Sequence, residues 1–254
     1  MHIMTMFPDD FEKDDKFAAV LPVASVEQHG PHLLLGCDGY IAYALARMVA
    51  EKTGAVLYPP LPFSWIGGLR PYAGTIDMRP HTTGEYMEKT GLAILNQGFS
   101  RLILINCHGG GRDKVYSVAR RIFKKTGKPV VTLYPTNIYR NWPEIVDIWK
   151  RHGMEFEWAA IEAAELAGAL RYLGKDELSM KVLSKTAEAV DEFGETPYIA
   201  VTPGLDSAFK LSEVGHDYTH ECMHVQPRKN INPEAAIEAL RFMAEKIAES
   251  AKAI

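Results

Sequence analysis

The sequence predicts an α/β protein, from buried strand-like runs that alternate with helix-like ones. Phe17 to Val26 and Arg101 to Asn106 are almost free of charge, rich in Val, Ala, Leu and Ile, and read as strands buried on both faces. Each leads into an apolar-periodic stretch, GYIAYALARMVAEKTG after the first and Val115 to Lys125 after the second, which reads as a helix. At 254 residues the chain can form one substantial core, and nothing forces a division, so residues 1–254 are expected to be one domain.

Between these landmarks, Ala55 to Pro60 reads as a second strand, closed by Pro59, Pro60 and Pro62. The loop FSWIGGLRPYAGTIDMRP follows, rich in Gly, Pro and aromatic residues; its length and its Trp65, Arg70 and Tyr72 mark it as a substrate-facing loop. His81 to Gln97 reads as a helix opened by Thr82 and Thr83 and ended by Gly98. Lys128 to Tyr134 reads as a strand, Thr136 to Lys150 as a loop, and EFEWAAIEAAELAGALRYLG as an Ala-rich helix. At about 100° per residue, Ile161, Glu162, Glu165, Leu166, Ala169 and Leu170 fall on one apolar arc of that helix. A carboxylate on a buried face is costly unless paired or bound to a cation, so Glu162 or Glu165 should have a positive partner. Lys175 to Pro197 reads as a surface helix and loop, Tyr198 to Val201 as a last strand, and Asn232 to Ile254 as a closing helix capped by Asn232 with Pro233 at its first position.

Composition excludes several classes. The 47% hydrophobic and 24% charged residues are ordinary for a globular enzyme, and the net charge of −4 is spread without a basic block, which argues against nucleic acid. No apolar run reaches the roughly 18 residues of a spanning helix, and MHIMTMFPDDFEKDD lacks a signal peptide's basic start and apolar middle, so a cytoplasmic protein is expected. Cys37, Cys107 and Cys222 form neither a disulfide framework nor a CxxC pair, and Cys37 and Cys107 read as small buried packing residues.

The chemistry concentrates where strands end. After Val26 come Glu27, Gln28, His29, Gly30, Pro31, His32 and then Asp38. Glu27 and His29 are two apart, so in extended chain they point the same way, as two ligands of one cluster must. Asp38 stands before a helix, where it serves either as cap or as ligand. The strand Arg101 to Asn106 runs into Asn106-Cys107-His108-Gly109-Gly110-Gly111-Arg112-Asp113. Such a Gly-rich turn can cradle a phosphate, but neither a GxGxxG nor a Walker pattern is present; His108 instead lies where open α/β sheets place their active sites. His216, His220 and His224, spaced by four, read as pocket-lining or contact residues more than as ligands. Carboxylates and imidazoles gathered this way suit one or two zinc- or manganese-like ions and hydrolytic chemistry.

In these residues the sequence resembles the creatininase, or creatinine amidohydrolase, family. LPVASVEQHGPHLLLGCD is similar to its Glu-x-His-Gly-x-His-Leu motif with the downstream Asp, YAGTID to its Pro-Gly-Thr loop, and GFSRLILINCHGGGRD to its strand ending in His-Gly-Gly-Asn. The resemblance implies a three-layer α/β/α sandwich with a mostly parallel sheet, two divalent ions per chain (zinc, manganese or both), and usually a homo-oligomer, often a hexamer. It implies Glu27, Asp38 and His108 as ligands of one ion and His29 with the shared Asp38 as ligands of the other. The last ligand belongs to a His-Ala-Gly-x-x-Glu-Thr-Ser motif that is altered here. One alignment makes it Glu165, preferred on spacing and on burial, with Glu162 the near alternative; the other makes it Glu157, with His152 as the catalytic residue. General-acid candidates are His32, His152 and the three later histidines. The activity implied is C–N hydrolysis of a small cyclic or polar amide by a metal-bridging hydroxide. Hydrolysis of a C–C bond in a cyclic polyol diketone of the inosose type, peptide or formamide hydrolysis, and a non-catalytic binding module are the alternatives.

Overall fold

Among the described residues, strand β1, Ala19–Val23, and strand β3, Leu102–Asn106, lie side by side at the centre of a four-stranded parallel sheet in the order β2-β1-β3-β4, with β2 at Val56–Leu57 and β4 at Val130–Leu133. The computed structural model describes residues 1–13, 15–66, 69–70, 72–133, 142–155, 158–193 and 227–253. Alternation along the central strands explains the layers. Val20, Ile103 and Ile105 pack on one face against α2 (Cys37–Thr53), α5 (Pro143–Arg151), α6 (Trp158–Tyr172) and α8 (Pro233–Ala253). Leu21, Val23, Leu102 and Leu104 pack on the other against α3 (Pro80–Leu95) and α4 (Arg112–Thr126). Strands apolar on both faces therefore produce the expected α/β/α sandwich. Helix α1 (Pro8–Lys13) precedes the sheet, and α7 (Asp176–Phe193) follows α6.

The first strand is shorter than its apolar run: past Val23 the chain leaves the ladder and becomes the site segment. The expected loop at Thr136 to Lys150 is overturned in its described part, where Pro143–Arg151 is helix α5, opened by Pro at its first turn. Ile145, Ile148 and Trp149 recur at helical spacing and are buried in the core, a period that the charged residues around them obscure. Trp149 is fully buried, so Trp149→Ala should cost about 3–5 kcal/mol of stability in urea unfolding. A loss below about 1 kcal/mol would mean that α5 adds little to the core.

Asn232 caps α8 as expected, its Oδ1 accepting the Glu234 N–H at 3.0 Å. Helices α6 and α8 meet backbone to backbone: a Cβ on Gly168 would stand 2.7 Å from the Pro233 carbonyl oxygen. Tyr198 to Val201 and His216, His220 and His224 lie outside the described residues. Among the described residues no helix is long and apolar enough to cross a membrane.

Candidate metal centre

The site is built where β1 and β3 end. Val23 pairs with Asn106, so the two segments leave the sheet as neighbours, one carrying Ser25, Glu27, His29 and His32 and the other His108. The first folds back on itself through Gly30, at φ 72°, and is closed by the Glu27 N–H donating to the Leu35 carbonyl at 2.9 Å. It then enters α2, whose first residue is Cys37. Asp38 does not cap that helix: the cap position is Gly36, without a side-chain hydrogen bond. Its carboxylate turns inward instead, and Glu27, His29, His32, Asp38 and His108 are all at most 4% exposed.

Asp38 joins the cluster's two halves. Its Oδ1 is 3.3 Å from His29 Nε2, and its Oδ2 is 3.2 Å from His108 Nδ1. His108 Nδ1 is also 2.8 Å from Glu27 Oε1, and His29 Nε2 is 3.5 Å from Glu162 Oε1 on α6. The other nitrogen of each ring is pinned by a backbone carbonyl: His29 Nδ1 donates to Glu27 O at 3.0 Å, and His108 Nε2 to Trp65 O at 2.8 Å. Each imidazole is thereby oriented with one nitrogen towards Asp38, which is how a metal-ligating histidine is held. The Ser25 hydroxyl lies within hydrogen-bond reach of both Asp38 Oδ2 and Glu27 Oε1. Asn106 fixes the His108 backbone from both sides, its Nδ2 donating to the carbonyl at 2.9 Å and its Oδ1 accepting the N–H at 3.2 Å.

The glycine turn has a steric reason. A Cβ on Gly110 would lie 2.8 Å from His108 Nε2 and 3.2 Å from the Trp65 carbonyl, wedging their hydrogen bond apart. The turn is a seat for an imidazole, so the phosphate-cradle reading is not needed.

Other expected site residues fall at different distances from this cluster. Glu165 is buried on the same helix, where its charge reaches Cys37 and Cys107, while Glu162 is the α6 carboxylate beside His29. Trp65 meets the cluster through its carbonyl, Arg70 is exposed and Tyr72 half-buried. His152 sits at the end of α5, with Nε2 2.7 Å from Glu238 Oε2 and Nδ1 3.4 Å from Asn232 Nδ2, so both nitrogens face the α8 region. Glu157 lies outside the described residues. Sequence reasoning passed over Ser25 and Asn106; the signal for Ser25 was that it is the lone polar side chain between Phe17 and Val26.

The electrostatics follow from charge crowded into a dry place. Burial alone would lower His108, but the Glu27 and Asp38 carboxylates outweigh it and raise the ring to about 10. Burial likewise opposes the raised value of His29, which the Asp38 charge and hydrogen bond carry well above the ordinary range. Asp38 is held far below the usual carboxylate range: burial would raise it, and the two imidazoles more than reverse that. Burial pushes the Glu27 carboxyl up. Burial, with the His29 charge, takes His32 down to about 4, and neither of its ring nitrogens has a partner among the described residues. Without metal, the imidazoles thus balance the carboxylates by holding protons.

A pH prediction follows. A folded-state value raised from 6.5 to about 10 means that His108 stabilises the metal-free fold fully below 6.5 and loses that contribution as pH rises through 10. Chelator-treated protein should therefore lose stability in urea between neutral and alkaline pH, whereas added zinc should restore it, because ions require the deprotonated ligands. A metal-free stability that climbs steadily over that range would contradict the geometry.

A model of the creatininase family, described as creatinine amidohydrolase, matches residues 5–171. The chain is 33% identical over 111 residues to a 3-dehydro-scyllo-inosose hydrolase of Thermotoga maritima (42% of this chain, 34% of that one). It is 31% identical over 112 residues to a mycofactocin precursor peptide peptidase of Mycobacterium ulcerans (41% and 44%), and 30% over 94 residues to a creatinine amidohydrolase of Pseudomonas putida (35% and 36%). The chain thus spans less than half the length of the curated relatives it matches. A mutant creatininase structure described as Zn-Zn type superposes with TM-score 0.75 at 18% identity, covering 98% of this chain and 96% of that one. A second, described as creatininase Mn, gives 0.69 at 19%, covering 98% of each. These likenesses share the sandwich, and the sequence match runs from before β1 to the end of α6, through every segment that carries a donor: the chain belongs to the creatininase family.

Proposed function

We propose that this protein is a hydrolase that holds two divalent ions, zinc or manganese, and cleaves a C–N bond of a small cyclic or polar amide. The carrying observation is that His29 and His108 each have one nitrogen fixed on a backbone carbonyl and the other presented to a different oxygen of Asp38. The donor set fits the ions. Glu27, Asp38 Oδ2 and His108 Nδ1 would hold one, and His29 Nε2, Asp38 Oδ1 and Glu162 the other. Their contacts of 2.8–3.5 Å bracket the roughly 3.3 Å that separates donors of a tetrahedral ion with bonds near 2.0 Å.

Bound there, such a pair supplies a water of lowered pKa and polarises a carbonyl. The chain's own residues do the rest. Ser25 steadies the Asp38 and Glu27 carboxylates, and the Trp65 carbonyl fixes the His108 tautomer. His32, buried beside His29 with both ring nitrogens unpartnered among the described residues, is assigned the proton transfer to the leaving nitrogen. The loop around Arg70 and Tyr72 would meet a small polar substrate, in a chain that works as a homo-oligomer.

The inosose relative favours a second reading, in which the same centre opens a C–C bond of a cyclic polyol ketone. The test is elemental mass spectrometry of protein purified without chelator, followed by assays on cyclic amides and inosose-type ketones. Close to two ions per chain with amide turnover supports the first reading, and ketone turnover the second. A protein that takes up no zinc or manganese would refute both and leave a binding module.

A further inference from the structure

The ligands assigned above do not include a thiol that lies among them. Cys37, the first residue of α2, is fully buried and is a free thiol. Its Sγ, a ring nitrogen of His29 and a carboxylate oxygen of Glu162 all lie within 4.8 Å of one another. An ion bonded at about 2.0 Å to N and O and about 2.3 Å to S would draw such donors together with shifts of about an ångström. His32, close enough to His29 to feel its charge, is 3% exposed with both ring nitrogens unpartnered among the described residues, so this side of the cluster holds buried donors that the protein itself leaves unsatisfied. Among residues small enough for this position, cysteine is the one that offers a soft donor.

We infer that Cys37 is a thiolate ligand of the ion held by His29 and Glu162, which makes that half of the centre selective for zinc while the Glu27 and His108 half keeps only oxygen and nitrogen donors. Coordination releases the thiol proton to solvent as the sulfur–metal bond forms, so no oxidant or reductant is involved. Softness supplies the selectivity, because thiolate suits zinc whereas carboxylate and water suit manganese. The inference rests on the metal centre proposed above and adds a ligand and a preference to it.

Cobalt(II) separates the two ideas, because its d–d bands report binding and a near-ultraviolet sulfur-to-cobalt charge-transfer band reports a thiolate ligand. Stripped full-length protein titrated with cobalt should show both. C37S should keep the d–d bands and lose the charge-transfer band, with zinc affinity falling by at least 10- to 100-fold and manganese affinity nearly unchanged. C107S should keep both bands, since Cys107 is half-buried and lies outside the donor group. Wild-type protein with d–d bands and no charge-transfer band, or a band that survives in C37S, overturns the thiolate ligand and leaves the metal centre standing. No cobalt binding at all overturns the metal centre, and the ligand with it. The wild-type spectrum decides even if C37S folds poorly.

Discussion

Asp38→Ala is expected to empty both halves of the centre at once. Each oxygen of this carboxylate faces a different imidazole, so its removal takes a donor from both sets. Metal content should fall from about two ions per chain to near zero, and turnover by more than the 10- to 100-fold that outer partners of a metal site usually carry. The metal-free protein should suffer as well, because His29 and His108 keep their raised values through Asp38. Removing one partner of a buried charge pair costs about 3–5 kcal/mol, so chelator-treated Asp38→Ala should unfold at clearly lower urea in slightly acid buffer. A variant that retains full metal and activity would sink the shared-ligand arrangement.

The second large effect separates two carboxylates on one helix. Glu162→Gln should lower the metal content from about two ions to about one and reduce turnover at least 100-fold, because its oxygen is the one 3.5 Å from His29 Nε2. Glu165→Gln should keep both ions. Its expected mark is on the thiols, which its charge now presses upward, so Cys37 and Cys107 should become easier to ionise in the metal-free protein. The reverse result, one ion lost in Glu165→Gln and none in Glu162→Gln, would assign the last ligand to the later residue. Elemental analysis of the two variants is sufficient to decide.

How much of this was legible in the sequence depends on the kind of signal. Strands buried on both faces announce themselves as uninterrupted apolar runs, so β1 and β3 and the sandwich around them could be read directly. Glu27, His29 and His108 were legible because polar residues stop such runs abruptly. Asp38 was ambiguous for a physical reason: a carboxylate at a helix start satisfies either backbone N–H groups or a site, and only the fold shows that Gly36 takes the cap position. Glu162 and Glu165 share an apolar arc, and periodicity cannot tell which of two residues three apart faces His29. Helix α5 was hidden because its apolar stripe is only Ile145, Ile148 and Trp149 among charges. The carbonyls of Glu27 and Trp65 were invisible altogether, since a main-chain acceptor leaves no trace in residue identity.

The pairing of Val23 with Asn106 has a consequence for how such a protein can change over evolutionary time. The spacing of the segments that bear Glu27 and His108 is held by main-chain hydrogen bonds between two central strands, which no surface substitution alters. The described residues between 62 and 79 touch the site segment through two main-chain groups, the Trp65 carbonyl and the Ile76 N–H that donates to Val26, and through the Thr75 hydroxyl, which accepts the Gln28 N–H at 3.1 Å. Exposed side chains there, such as Arg70, can therefore change without moving the donors, whereas Thr75 cannot. The spacing of the donors and the side chains around them are in this way separately heritable, so a chain with this sheet can change at its rim while Glu27 and His108 stay in place.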